Sequence, residues 1–381
     1  FNPDNPDLAR ALGRREPEKR HRACFVIDAG VARAWPQLPE QIQRYAERHA
    51  RTLELAGAPL VVPGGEQVKN DPSHIEALHR EIARRGLDRQ SFAVIVGGGA
   101  VQDMAGFAAA TAHRGVRVVR LPTTVLSQND SGVGVKNGIN AFGLKNFVGS
   151  FAPPFAVIND ARFLETLERR DRIAGIAEAV KVSLIRDAEF FEWLVANATR
   201  LRHFDAQATA FMVQRSAELH LRHIESGGDP FELGSARPLD FGHWSAHKLE
   251  SLTAHGLRHG EAVAIGLALD TLVSVEVGLL SSAVAERVYR LLEELGLPTF
   301  HPELESVDAA GALKVLEGLR EFREHLGGEL TVTLLRAPGQ AVDWHEMDPA
   351  LIARAIRILR TRHLSADRTR LAADVVSGAA E

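Results

Sequence analysis

Three consecutive glycines, Gly97, Gly98 and Gly99, separate an apolar run (92–96) from a segment with helical periodicity. A second apolar run, 116–121, closes the unit. Strand, glycine turn, helix, strand commits a chain to a parallel sheet flanked by helices. It also offers backbone N–H groups and a helix N-terminus to a phosphate. The helix is expected to carry Asp103 in its first turn, where a carboxylate either complements the helix dipole or bonds a cofactor hydroxyl. The next glycine falls at Gly106, away from the usual dinucleotide fingerprint, so the turn alone is also compatible with simple chain reversal. Beyond the second run comes glycine-spaced polar sequence with Thr123, Thr124, Asp130, Lys136, Lys145 and Asn146. That mixture suits a lined cavity better than a packed core.

The alternation extends upstream. A strand at 23–27 ends at Asp28, a helix is expected over 38–56, and a strand over 60–62 leads into a polar turn holding Glu66 and Lys69. A helix over 75–85 stops at Gly86, as a C-cap glycine would dictate. From residue 162 on, 3.6-residue periodicity dominates, over 171–185, 188–198, 207–224, 243–253, 261–277 and 282–295. Breaks fall at Gly227, Gly228 and Pro230, and again at Gly296 and Pro298; a late strand-like run, 330–335, suggests a small hairpin. The expectation is an α/β domain with a mainly parallel sheet (23–161) followed by a helical domain (162–364). A poorly ordered lead-in (1–22) and a fraying tail (365–381) would flank them. At 381 residues, two domains is also what the limited growth of single cores implies.

Charge and composition speak against several classes. A net charge of -4 gives no support for nucleic-acid or membrane binding. Residues 1–22 are polar and Arg-rich and show no signal pattern, although a chain beginning at Phe1 leaves truncation open. The most apolar stretch, 262–280, carries Asp270 and Glu276 and reads as a buried helix, not a membrane span. The single cysteine, Cys24, lies inside an apolar run and reads as a buried structural thiol. It fits a reducing compartment, and a cytoplasmic location is expected.

Two further constellations carry chemistry. Glu178 and Lys181 lie three apart in AGIAEAVKVSL, on one face of a buried-looking helix where charges need partners. DFGHWSAHKLE sets His243 and His247 at i, i+4, and His259 precedes the apolar helix. A glutamate with two histidines is a three-ligand set for zinc that leaves a position open for substrate. Core or surface histidines are the plainer reading of any pair alone. Lys136, Lys145, Lys181, Arg114 and Arg222 form a cationic set that, if gathered in one pocket, would draw a phosphorylated substrate.

Read together, GGGAVQDMAGFAAAT, LPTTVLSQNDSGVGVK, GLKNFVG, AGIAEAVK, FGHWSAH and HGEAVAIG resemble the sugar phosphate cyclases, the family of 3-dehydroquinate synthase, over about residues 25–335. The resemblance implies a Rossmann-like NAD-binding domain and a helical metal-binding domain with the active site in the cleft, in a homodimer. Carried onto this chain, it implies Glu178, His243 and His259 as ligands of Zn2+ or Co2+. NAD would meet Asp28, Glu66, Lys69, Gly98, Gly99, Asp103, Thr123 and Thr124. Substrate would meet Asp130, Lys136, Lys145, Asn146, Lys181, Arg222 and His247, with Arg114 supplied by the neighbouring subunit. His247 thereby moves from possible ligand to substrate-side group. The implied reaction is transient oxidation of a secondary hydroxyl by NAD, with the metal polarising that oxygen. Elimination of phosphate, return of the hydride and aldol closure follow. NAD is regenerated, so the enzyme is a lyase.

The departures bear on substrate. Dehydroquinate synthases resemble RxLLNFGHTxGH where this chain has ARPLDFGHWSAH. Ala236 replaces the arginine, Arg237 is one step out of place, and Asp240 replaces the asparagine. An aspartate repels a carboxylate and accepts hydrogen bonds from a hydroxymethyl group. In REHLGGELTVTLL a carboxylate-side lysine is absent and His325 stands nearby. The expected substrate is a neutral-headed ketose phosphate such as sedoheptulose 7-phosphate. With His247 retained, the product resembles that of the 2-epi-valiolone synthases more than the 2-epi-5-epi-valiolone branch. The rivals are 3-dehydroquinate synthase itself, a glycerol dehydrogenase-type polyol dehydrogenase, and an inactive NAD-binding interaction protein.

Overall fold

The computed structural model describes residues 1–226, 231, 238–326 and 328–378, and for Pro238, His325, Leu326 and 366–378 the backbone alone. The chain divides into two units, the first formed by Phe1–Glu168 with His220–Phe231 and the second by Arg169–Leu219 with Glu232–Glu381.

In the first unit, β1 (His21–Asp28), β2 (Leu53–Leu55), β3 (Leu60–Val62), β4 (Phe92–Gly97), β5 (Arg117–Pro122) and β8 (Ala156–Val157) form one parallel sheet. Its order is β2-β1-β4-β5-β8, with β3 also on β1. Alternate residues divide between two cores. Ala23, Phe25, Ile27, Val94 and Val96 pack on one face, and Cys24, Val26, Ala93 and Ile95 on the other. Apolar residues on both faces are what a parallel sheet sandwiched by helices requires. Helices α1 (Asp7–Gly13), α2 (Ala29–Ala34) and α3 (Leu38–Arg48) precede α4 (Ser73–Arg84) and α5 (Gly99–Thr111). Strands β6 (Lys136–Ala141) and β7 (Leu144–Phe151) form a separate antiparallel hairpin.

Three local expectations need correction. The lead-in is structured: Leu8 and Leu12 of α1 bury against the core and the Tyr45 hydroxyl accepts from Ala9 N at 3.0 Å. The helix expected over 38–56 ends at Arg48, because Leu53–Leu55 pairs in parallel with His21–Ala23 of β1 instead. Sheet pairing outweighs helical periodicity there. Helix α5 begins at Gly99, so Asp103 lies beyond the first turn and does not serve the helix N-terminus.

The second unit is helical: α6 (Arg169–Ala174), α7 (Ile176–Arg186), α8 (Ala188–Arg202), α9 (Ala206–Ser226, running on into the first unit), α10 (His243–Leu252), α11 (His259–Glu276), α12 (Ser282–Leu295), α13 (Glu317–Leu326) and α14 (Pro349–Gly378). Helix α11 is buried on all sides, as an apolar helix at the centre of a bundle must be. It packs on α7, α10, α12 and α14 and on the hairpin of β9 (Val332–Ala337) and β10 (Gln340–Trp344). The tail expected to fray continues α14 as backbone helix to Gly378. No helix among the described residues is long and apolar enough to cross a membrane. The expected break at Gly227, Gly228 and Pro230 lies outside the described residues, as do Ala236 and Arg237.

Candidate active site

In the helical unit, three segments bring a carboxylate and two imidazoles together. Helix α7 buries Glu178, which is 2% exposed; α10 starts at His243 and α11 at His259. Glu178 Oε1 stands 3.6 Å from His243 Nε2 and 3.4 Å from His259 Nε2. Ligand atoms around a tetrahedral zinc, with bonds near 2.0–2.1 Å, stand about 3.3 Å apart, so the spacing fits that ion. The second nitrogen of each ring is engaged. His243 Nδ1 faces the Phe241 carbonyl at 3.1 Å and His259 Nδ1 faces Glu250 Oε2 at 3.1 Å. Such partners set the tautomer that aims Nε2 inward. Burial pushes the Glu178 carboxyl up, but Lys181 and the two histidines outweigh it and hold the group well below its ordinary value. Lys181, 3% exposed, forms an ion pair with Glu178. The His247 ring lies 5.4 Å from that of His243 and stacks 5.9 Å from that of His259. Asp240 ends a short 3-10 turn (Pro238–Asp240) three residues before His243, and is half-buried. His325 lies on α13, and its side chain is outside the described residues.

Glu250 was not legible as a site residue, yet it is 4% exposed. The available signal was its place on the stripe 243, 247, 250, a carboxylate where an apolar residue would pack.

In the first unit, the carboxyl ends of three parallel strands meet at one level, where open α/β sheets bind ligands. Pairing of β1, β4 and β5 aligns Ile27 with Val96 and Gly97 with Pro122. Asp28, Gly98, Gly99, Thr123 and Thr124 therefore occupy one edge. Gly98 caps α5, and Asp28 leans so closely on Gly64 that a Cβ there would lie 2.3 Å from Asp28 Oδ1. Beside this edge, buried Lys69 (2% exposed) reaches Asp103 Oδ2 at 2.9 Å and Glu66 Oε1 at 3.6 Å, and bonds Asn146 Oδ1. Burial lowers the Lys69 pKa, but Asp103 and Glu66 overcome this and raise it. Asn140, unnoticed in sequence, joins through Glu66 (3.4 Å), Asn70 (2.7 Å) and the Asn146 amide (2.8 Å). Asn146, expected to meet substrate, thus bonds Lys69, expected to meet NAD, and adopts φ 54.

The Asp130–Lys136 segment is held by Arg120, a 1% exposed residue of β5. Its guanidinium donates to the carbonyls of Ser131 (3.3 Å), Gly132 (3.1 Å), Gly134 (2.8 Å) and Lys136 (3.2 Å) and to Asn137 Oδ1 (2.7 Å). Burial depresses its pKa. The signal for it was a cation inside an apolar strand run. Asp130 Oδ1 lies 3.7 Å from His220 Nδ1. The lysine set does not stand shoulder to shoulder: Lys136 opens β6 opposite Phe151, whereas Lys145 follows the hairpin turn. Four residues of strand, about 13 Å, separate their backbone levels. Arg222 is exposed on α9. Arg114 is exposed at φ 64 after α5.

Fold and site define a two-unit metalloenzyme. Residues 59–174 match the family model of the 3-dehydroquinate synthase N-terminal region, and residues 175–317 that of its C-terminal region. The 3-dehydroquinate synthase of Pseudomonas fluorescens Pf-5 is 38% identical over 300 residues, 78% of this chain and 80% of that protein. Among solved structures, the 2-epi-5-epi-valiolone synthase ValA of Streptomyces hygroscopicus subsp. jinggangensis 5008, with NAD+ and Zn2+ bound, superposes with a TM-score of 0.83. It is 29% identical, with 94% of each chain covered. A 2-deoxy-scyllo-inosose synthase shares the fold, with a TM-score of 0.75 at 23% identity over 92% of this chain and 94% of that one. The chain belongs to the 3-dehydroquinate synthase family and is a sugar phosphate cyclase, an enzyme of the carbon–oxygen lyase class.

Proposed function

We propose that this enzyme converts a ketose phosphate lacking a carboxylate, sedoheptulose 7-phosphate, into a C7 cyclitol of the 2-epi-valiolone type with release of phosphate. Asp240 carries this reading. Its half-buried carboxylate ends the turn that leads directly into His243. A carboxylate there repels a carboxylated substrate and accepts hydrogen bonds from a hydroxymethyl group. His247, one turn beyond His243, favours this product over the 2-epi-5-epi isomer.

When bound, NAD and Zn2+ or Co2+ supply the transient oxidation of a hydroxyl and the polarisation of its oxygen. Glu178, His243 and His259 hold the metal. Asp28, Glu66, Lys69, Gly98, Gly99, Asp103, Thr123 and Thr124 orient NAD, and the contacts of Asn146 add it to that set. Lys136, Lys145 and Arg222 meet the phosphorylated substrate at separate points, while Asp130, His247 and His325 orient the sugar. Lys181 places positive charge where oxyanions develop. A second copy of the chain completes the site with Arg114, which is exposed and forms no ion pair among the described residues. The protein acts in the cytoplasm.

The alternative is 3-dehydroquinate synthase activity, favoured by the names of the sequence relatives. Incubation with NAD, Co2+ and either sedoheptulose 7-phosphate or the carboxylated heptulosonate precursor, followed by NMR, decides between them. Cyclitol from the first alone supports the proposal, and turnover of the second alone overturns it. Net NADH from a simple polyol without phosphate release would indicate a dehydrogenase instead.

A further inference from the structure

Asp270 is a carboxylate for which the reaction has no evident use. It sits three turns into α11 and is fully buried. A buried carboxylate costs several kcal/mol unless its oxygens are satisfied. Both are, and by residues on either side of one metal ligand. Gly242 N donates to Oδ2 at 3.0 Å and Trp244 Nε1 to Oδ1 at 2.8 Å. His243 lies between them.

Sterics tighten the same junction. Gly242 adopts φ 78, a conformation that excludes most side chains. A Cβ on Gly242 would lie 2.6 Å from Leu267 N, and one on Gly266 would lie 2.0 Å from Gly242 O. Backbone thus packs on backbone where α10 starts against α11. Trp244 is 1% exposed, so the first turn of α10 is anchored in the core on that side. His243 Nδ1 is held by the Phe241 carbonyl, so the ring's direction follows the backbone of 241–244.

We propose that Asp270 is a positioning residue for the metal site: through Gly242 and Trp244 it sets the backbone that aims His243 Nε2 at the point shared with Glu178 and His259. The inference rests on the assignment of Glu178, His243 and His259 as ligands. Partners behind metal-binding histidines are typically worth 10- to 100-fold in affinity, and here the partner acts one step further back, on the chain itself.

The test uses the full chain stripped of metal and titrated with Co2+ alone, reading affinity by chelator competition and coordination from the visible d–d bands. Asp270→Asn places an amide NH2 against one of the two donors. It is expected to weaken Co2+ binding by about tenfold or more and to shift the bands. Trp244→Phe frees one oxygen and moves both readouts in the same direction. Ser274→Ala loosens α11, since Ser274 Oγ accepts from Leu335 N at 3.1 Å and donates to the Asp270 carbonyl at 2.7 Å, but it leaves both contacts of the Asp270 carboxylate with the turn in place. It leaves affinity and spectrum unchanged. Wild-type affinity and bands in Asp270→Asn overturn the proposal; if that variant does not fold, the same result in Trp244→Phe does so. An equal loss in Ser274→Ala also overturns it, as generic destabilisation. A wild-type chain that binds Co2+ no better than Glu178→Gln sinks the ligand assignment itself, and the proposal with it.

Discussion

Glu178 concentrates the chemistry of the helical unit in one carboxylate. It is buried, paired with Lys181, and aimed at two imidazoles whose outer nitrogens are already engaged. Glu178→Gln keeps the volume and removes the charge. It is expected to abolish tight metal binding, measured as metal content after purification, while the wild type retains about one ion per chain. Asp240 tests substrate choice. Asp240→Asn is expected to lower kcat/KM for sedoheptulose 7-phosphate more than tenfold, about 1.4 kcal/mol or more of transition-state binding. Unchanged kinetics would show that Asp240 does not meet the substrate.

At the scale of elements, one strand residue organises a loop. Arg120 satisfies four carbonyls and an amide oxygen that fold the Ser131–Asn137 chain onto β5. Each buried acceptor left without a donor costs about 1–3 kcal/mol. Arg120→Leu is therefore expected to lower the Tm severely. Arg120→Lys retains the charge but not the planar fork and reaches fewer acceptors. Its expected signature is a folded protein with KM for the phosphorylated sugar raised about tenfold, because the loop bearing Asp130 and Lys136 is less ordered. A KM equal to wild type in a folded Arg120→Lys would remove the loop from substrate binding.

Over the whole molecule, stability should respond to pH through Asp270. Burial pushes its carboxyl from an ordinary 3.8 to about 7, against the pull of Trp244 and Gly242. The folded state then holds a proton that the unfolded chain releases above about 4. This contribution is fully present below the unfolded pKa and is lost as pH rises through 7. Denaturant unfolding of wild type and Asp270→Asn should show a wild-type advantage that shrinks by a few kcal/mol between pH 4 and 8. A constant difference would mean that Asp270 stays ionised throughout. Metal acts at the same scale: Zn2+ at 100 times its Kd should add about 2.7 kcal/mol to the unit that binds it.

Much of the architecture was legible because it rests on local periodicity. Short apolar runs marked β1 and β4 as strands, and period 3.6 located α12 residue for residue and α9 through α11 nearly so, while the helix expected over 171–185 is divided at Gly175 into α6 and α7. The candidate metal set was legible only in part from spacing: i, i+3 and i, i+4 put Glu178 with Lys181 and His243 with His247 on shared helix faces, and the family resemblance replaced His247 by His259 as the third expected ligand. Failures occurred where distant pairing outweighed a local signal. Leu53–Leu55 looked helical until β1 claimed it, and Asp103 looked like a helix-start residue until Lys69 met it.

The sequence by itself determined the two kinds of unit and the strand–glycine–helix edge suited to a phosphate, because each follows from neighbours a few positions apart. NAD and the Glu–His–His set, whose members lie 65 and 16 positions apart, were legible only as a resemblance to a family. Tertiary structure alone decided that Asn146 stands with Lys69 across 77 positions, that Arg120 staples a loop, and that Asp270 clamps the chain on either side of His243 across 26 to 28. Those contacts depend on which faces pack together, and no short-range pattern of residues encodes that.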